Sequence, residues 1–177
     1  KEVLSAGAHR YQARADERLE GEPHELDLEA VVERKDEHIH SFAQHRRDAV
    51  HGMAKKDSVE FVRETARVVD DTTVEAGGEE YEVDRIVVAT GSSVNVPDLP
   101  GIGEVEYETS ADVLDSHSFG ETGVVMGFGT VGMEMVPYLS EAGVDLTVIE
   151  HDAAPLDVAD DEFGEEVLDV YREEFGV

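Results

Sequence analysis

The chain has 177 residues, 40% of them hydrophobic, which is enough for one substantial core and too apolar for a disordered tail. Acidic residues outnumber basic ones 43 to 14, for a formal net charge of −29, so no cationic surface remains to lie along a nucleic-acid backbone or an anionic membrane. No cysteine is present, which excludes a disulfide, a thiolate nucleophile and a Cys-based metal centre within the chain.

In chain order, Val3, Leu4, Ala8 and Tyr11 follow a helical spacing that begins with no N-cap residue before it, as if residues upstream were missing. A turn at Gly21-Glu22-Pro23 is expected to end this helix. Asp27 can cap a second helix with apolar residues at Leu28, Val31, Val32, Ile39, Phe42, Val50 and Met53, so an antiparallel helix pair is expected. Val59–Val62, Ala66–Val69, Thr73–Glu75 and Tyr81–Val83, with Gly77-Gly78 between the last two, predict short strands of a small antiparallel sheet. Arg85–Ala89 is a nearly continuous apolar run ending at Thr90-Gly91-Ser92, as in a strand buried on both faces that delivers its end to a ligand. The proline-bearing stretch Val96–Gly101 then reads as a linker. No apolar run approaches the ~18 residues of a membrane span, and no signal-peptide core follows the charged start, so a cytoplasmic protein is expected.

From Ser110 a second lobe is predicted, an α/β unit of strand, glycine turn, helix and strand. Thr122–Met126 leads into Gly127-Phe128-Gly129-Thr130-Val131-Gly132, an apolar helix reaches Ala142, and Asp145–Glu150 forms the next strand. The three glycines serve different ends. Gly127 turns the chain out of the strand, Gly129 lets the backbone approach a pyrophosphate, and Gly132 lets the helix lie close to the sheet. The helix N-terminus presents free N–H groups and a positive dipole end to the phosphates. Glu150 ends the second strand, where a carboxylate accepts from the adenine-ribose hydroxyls and repels a 2′-phosphate, so NADH is favoured over NADPH. Glycines that merely make a tight turn would not require this context. Pro137 falls inside the helix, removes an N–H and predicts a kink or local widening. An acidic helix over Asp161–Phe175 follows, with Phe163, Val167, Val170 and Tyr171 as its expected buried stripe.

These motifs, in this order, resemble the flavin- and pyridine-nucleotide-dependent disulfide oxidoreductases, the group of dihydrolipoamide dehydrogenase, glutathione reductase and mercuric reductase. Lys1–Leu4 is similar to the segment just after that family's redox cysteine pair. Ala89-Thr90-Gly91-Ser92 and Val96–Ile102 resemble its second flavin-domain motif and the stretch that follows it, and Gly127–Glu134 resembles its nicotinamide fingerprint. The resemblance implies an internal fragment: residues 1–109 a partial FAD-binding lobe, and residues 110–177 a partial NAD-binding lobe. It implies electron transfer from NADH through FAD to a disulfide-type acceptor. It further implies main-chain contacts to FAD from Ala66, Ala89, Thr90, Gly91 and Ser92, and an ion pair of Lys1 with Glu134 beside the flavin ring. Thr130 stands where the family often has a tyrosine that covers the flavin, which puts that gating in doubt. The first FAD fingerprint, the cysteine pair and the dimer-forming interface domain would lie outside the chain. No catalytic residue is therefore assigned within it, and a homodimer is expected only of the parent protein.

Two other readings stand beside this one: a nucleotide-binding module without chemistry, and an acidic interaction protein. The acids are spread along the whole chain, and ten of the 14 basic residues are arginine, a balance similar to that of proteins from salt-loving organisms. A charge adapted to concentrated salt is therefore preferred to a docking surface. His38, His40 and His45 do not share one helix face and have no cysteine beside them, so no metal is assigned to them. The acidic helix lacks a calcium-loop pattern, and no serine sits in a nucleophile elbow.

Overall fold

The computed structural model describes residues 1–21, 23–152, 155 and 161–177. Glu22 of the expected turn lies outside them. The chain divides into two compact units, one made of residues 1–39 and 105–177, the other of residues 40–104.

The first unit is α/β. Helix α1 (Glu2–Ala15) opens it, and the first turns of α2 (Leu28–Met53) belong to it. The amide of Ala30 donates to the Asp27 carboxylate at 3.0 Å, so Asp27 caps α2 as expected. Helix α3 (Ser110–Asp115) begins with a capping box between Thr109 and Asp112. Strand β4 (Thr122–Met126), helix α4 (Thr130–Glu141) and strand β5 (Asp145–Ile149) follow, with β4 and β5 parallel and in register from Thr122 opposite Asp145 to Met126 opposite Ile149. Helix α5 spans Asp161–Phe175.

Helix α4 is the centre of this unit. Met135, Val136, Tyr138 and Leu139 are buried on it, and Val3, Val113, Phe128 and Leu146 close around them. Both expected N-terminal helices form, but α1 ends at Ala15, six residues before the predicted turn, and its principal packing partner is α4. The reason is electrostatic as well as apolar. Glu141 of α4 is only 3% exposed and receives Arg10 Nη1 at 2.5 Å and Arg14 Nε at 3.1 Å, so a buried carboxylate is held by two guanidinium groups of α1. On α5 Gly164 is buried and Leu168, Tyr171 and Phe175 are half-buried at helical spacing; of the predicted stripe, Val167 and Tyr171 are half-buried, while Phe163 (62% exposed) and Val170 (45%) face solvent. Leu168 and Tyr171 fall one helix face away from Phe163 and Val170, toward α4. Lys35 of α2 is also buried, with its ammonium between Asp36 and Asp115.

The second unit holds a three-stranded antiparallel sheet, β1 (Ala66–Asp70), β2 (Thr73–Ala76) and β3 (Glu79–Glu82), in that order. Residues 40–53 of α2 belong to it, and there Phe42 and Met53 are about half exposed rather than core-forming. Two predicted strands are absent. Val59–Val62 joins no sheet, the Val59 amide donating instead to the Lys56 carbonyl at 3.0 Å, and Arg85–Ala89 forms no ladder, with Val87 87% and Val88 71% exposed. An apolar β-run becomes a strand only when a neighbouring strand satisfies its N–H and C=O groups, and among the described residues no strand pairs with either segment. Among the described residues no helix is long and apolar enough to cross a membrane.

Candidate functional site

The site forms where β4 ends, α4 begins and β5 ends, all within the first unit. Gly127 leaves β4 with φ +96°, a left-handed conformation that disfavours any side chain, and its amide donates to the Ile149 carbonyl at 2.8 Å. Gly132 lies one turn into α4 against this bend. A Cβ there would come within 2.1 Å of the Gly127 carbonyl oxygen, so the helix reaches the loop only because residue 132 is glycine. Gly129, the N-cap of α4, is different: its φ of −76° suits any residue, and an added Cβ would meet no atom of the described residues within 4 Å. Among the described residues nothing requires glycine at 129, which stands at the N-terminus of α4, where helix amides lack intrahelical partners.

Glu150 closes the other side. Its Oε2 accepts the Phe128 amide at 2.5 Å, and its Oε1 accepts the His151 amide at 2.6 Å, His151 Nδ1 at 2.7 Å and the Asp152 amide at 3.3 Å. The His151 side chain and then the Phe128 amide hold the carboxyl at a pKa of about 2, well below the usual carboxylate range. Glu150 and then Asp152 raise the pKa of His151. Among the described residues Oε2 accepts one N–H, and a carboxylate oxygen has a second lone pair that a hydroxyl donor such as a ribose can use. Glu150, His151 and Asp152 also bring ligand-type atoms within 4.8 Å of one another, an exposed cluster already explained by these hydrogen bonds.

Of the expected site residues, Gly127, Gly129, Thr130, Gly132, Glu134 and Glu150 converge on this corner, with Thr130 and Glu134 exposed on the first turns of α4. Lys1 is the exposed N-cap of α1, and no ion pair joins it to Glu134 in this structure. Ala66 and Ala89–Ser92 belong to the second unit. Ala66 opens β1 and lines, with Val62, Val74, Ala76 and Tyr81, a groove of about 250 Å³. Ala89–Ser92 is exposed, non-strand backbone with Gly91 at φ +80°. Of the three helix histidines weighed for a metal, the Nδ1–H of His45 donates to the Ser41 carbonyl at 2.9 Å.

Two residues of the corner escaped the sequence. Phe128, inside the glycine loop, is 2% exposed, and Tyr171 of α5 meets it edge to face with ring centroids 5.0 Å apart. The Tyr171 hydroxyl donates to the Met133 carbonyl at 2.8 Å. The signal was Pro137, whose missing N–H leaves the carbonyl four residues earlier without its helical donor.

The sequence pattern of the family described as pyridine nucleotide-disulphide oxidoreductase matches residues 2–177. Mercuric reductase of Bacillus cereus is 26% identical over 149 residues, 84% of this chain and 23% of that protein. Dihydrolipoyl dehydrogenase of Haloferax volcanii is 33% identical over 110 residues, 57% of this chain and 23% of that protein. Among solved structures, the Cu(II) complex of the HOCl-induced flavoprotein disulfide reductase RclA from Escherichia coli superposes with a TM-score of 0.72, covering 98% of this chain and 37% of that one. At 17% identity that likeness carries the fold alone. The matches thus span 23% to 37% of the length of these proteins.

Proposed function

The chain belongs to the pyridine nucleotide-disulphide oxidoreductase family, and from that premise we propose that it is part of a flavoprotein that moves electrons from NADH through FAD to a disulfide-type acceptor. In this reading residues 110–177 are the first half of the NAD-binding lobe and residues 1–109 part of the FAD-binding lobe. The observation that carries it is the open position at Gly129 between the N-terminus of α4 and the Glu150 carboxylate. A pyrophosphate takes the amides of the first turn of α4, and the free lone pair of Glu150 Oε2 takes an adenine-ribose hydroxyl. The charge of Glu150, held down to a pKa of about 2, disfavours a 2′-phosphate, so the nicotinamide cofactor is NADH.

When bound, FAD supplies a two-electron relay between the nicotinamide and the acceptor. On this chain Ala66 offers main chain beside the adenine, along the groove with Val62, Val74 and Tyr81. Ala89, Thr90, Gly91 and Ser92 offer uncovered backbone to the same cofactor. Lys1 and Glu134 pair beside the flavin ring once the cofactor fills the site. The acceptor disulfide comes from residues outside this cysteine-free sequence, so the 177 residues alone have no disulfide reductase turnover. The parent protein is a cytoplasmic homodimer, and the acidic surface suits it to concentrated salt.

Calorimetric titration of the folded chain with NADH in molar salt tests the reading. Saturable heat that Gly129→Val abolishes is expected; absence of heat from a folded sample overturns it. NADH-dependent reduction of lipoamide by the chain alone would overturn the assignment of the dithiol to other residues.

A further inference from the structure

We infer that Tyr171 is a positioning residue for the nucleotide site, acting through the carbonyl that Pro137 leaves without a helical donor and through the ring of Phe128. The inference rests on the reading above, that the corner from Gly127 to Glu150 holds a dinucleotide.

Helix α4 contains a proline at its eighth residue. In a regular helix the N–H of residue 137 would donate to the carbonyl of Met133; proline has none to give. The hydroxyl of Tyr171, from α5, supplies the missing donor at 2.8 Å. An internal proline is costly in a helix, and part of that cost is the unpaired carbonyl, which this bond removes. The proline and the tyrosine therefore form one device although they lie on different helices.

The same tyrosine reaches the glycine loop. Its ring stands at 88° to that of Phe128, and the Phe175 ring packs against it as well, with centroids 5.3 Å apart. Phe128 is the residue between Gly127 and Gly129, flanked by two residues with little steric restraint of their own, so the direction of its amide is set by where its ring is held. That amide donates to Glu150 Oε2. A tyrosine fixed at both ends, hydroxyl on α4 and ring on the loop, thereby fixes the carboxylate that receives the ribose. Loosening it lets the Phe128 ring and amide turn together, and Glu150 loses the bond that holds Oε2 toward the open position at Gly129.

The proline makes the idea testable by a cycle. Tyr171→Phe removes the hydroxyl and keeps the ring. Pro137→Ala restores a backbone donor to Met133 and makes the hydroxyl dispensable. NADH affinity of the folded 177-residue chain is expected to fall about fivefold in Tyr171→Phe, the loss of one hydrogen bond carried through to the site. It is expected to stay within about twofold of wild type in Pro137→Ala and to recover in the double variant. The Phe128 amide proton, read by NMR without ligand, should move upfield in Tyr171→Phe and return in the double variant. A purely structural tyrosine would lower the melting temperature and leave both readouts unchanged. Equal NADH affinity in wild type and Tyr171→Phe overturns the inference while the dinucleotide reading stands. A folded wild type that does not bind NADH overturns both, and a double variant that fails to recover overturns the link through Pro137.

Discussion

At the scale of single residues, Gly129 and Gly132 sit three positions apart in one motif, yet opposite constraints hold them. A methyl at 132 collides with the Gly127 carbonyl, whereas a methyl at 129 meets no atom of the described residues within 4 Å. Gly132→Ala should therefore destabilise the fold by about 2 kcal/mol, as overpacking of a close contact does. Gly129→Ala should leave the melting temperature unchanged and still weaken NADH binding. Thermal unfolding with and without NADH separates the two, and equal loss of stability in both variants would contradict the geometry. Glu150 and His151 titrate in opposite senses. The carboxyl is lowered to about 2, so its stabilising bonds are fully present above the ordinary carboxylate value and are lost as pH falls from about 4.5 toward 2. The imidazole is raised, so its pairing with Glu150 is complete below its unfolded value near 6.5 and is lost as pH rises through the higher folded one. Carboxyl-carbon NMR should show the Glu150 midpoint near 2 and an upward move in His151→Asn; a midpoint near 4.5 in the parent chain would refute the arrangement.

Among elements, β4, α4 and β5 were legible because every signal for them is local. A β-branched strand, three glycines at fixed offsets, an apolar helix and an acid at the next strand end all act within some thirty residues. Arg85–Ala89 was misread for the opposite reason, since strand formation there depends on partners that no local pattern records. The stripe of α5 was only half right: Val167 and Tyr171 are half-buried as expected, whereas Phe163 and Val170 are exposed, because a periodicity count weighs them the same as Leu168 and Phe175. The contact of α1 with α4 was hidden in charged letters, Arg10 and Arg14 against Glu141, which a reading of apolar spacing passes over. Glu141→Gln should cost about 2 kcal/mol, the scale of hydrogen bonds to a charged group, although Arg10 and Arg14 can return partly to water. Urea unfolding measures it, and a change below about 0.5 kcal/mol would mean that apolar contacts alone hold α1 on α4.

Over the whole molecule the net charge of −29 dominates. Like charges at this density repel across the surface, and salt shortens the reach of that repulsion to about 3 Å at 1 M. The melting temperature should rise steadily between 0.1 and 2 M potassium chloride, followed by circular dichroism; a fall over that range would contradict adaptation to salt. The family and the strand–glycine–helix corner from Gly127 to Glu150 were readable because fingerprint order survives low identity, while the groove beside Ala66 required strands to be placed before it could be seen.

The exposed run at Val87 and Val88 puts these charges in another light. A β-prone stretch with unsatisfied backbone is a template onto which further copies can stack edge to edge, the first step of a fibril. Mutual repulsion between acidic chains keeps such edges apart in dilute buffer. Salt that screens this repulsion lowers that colloidal barrier, so this exposed run is least guarded in concentrated salt.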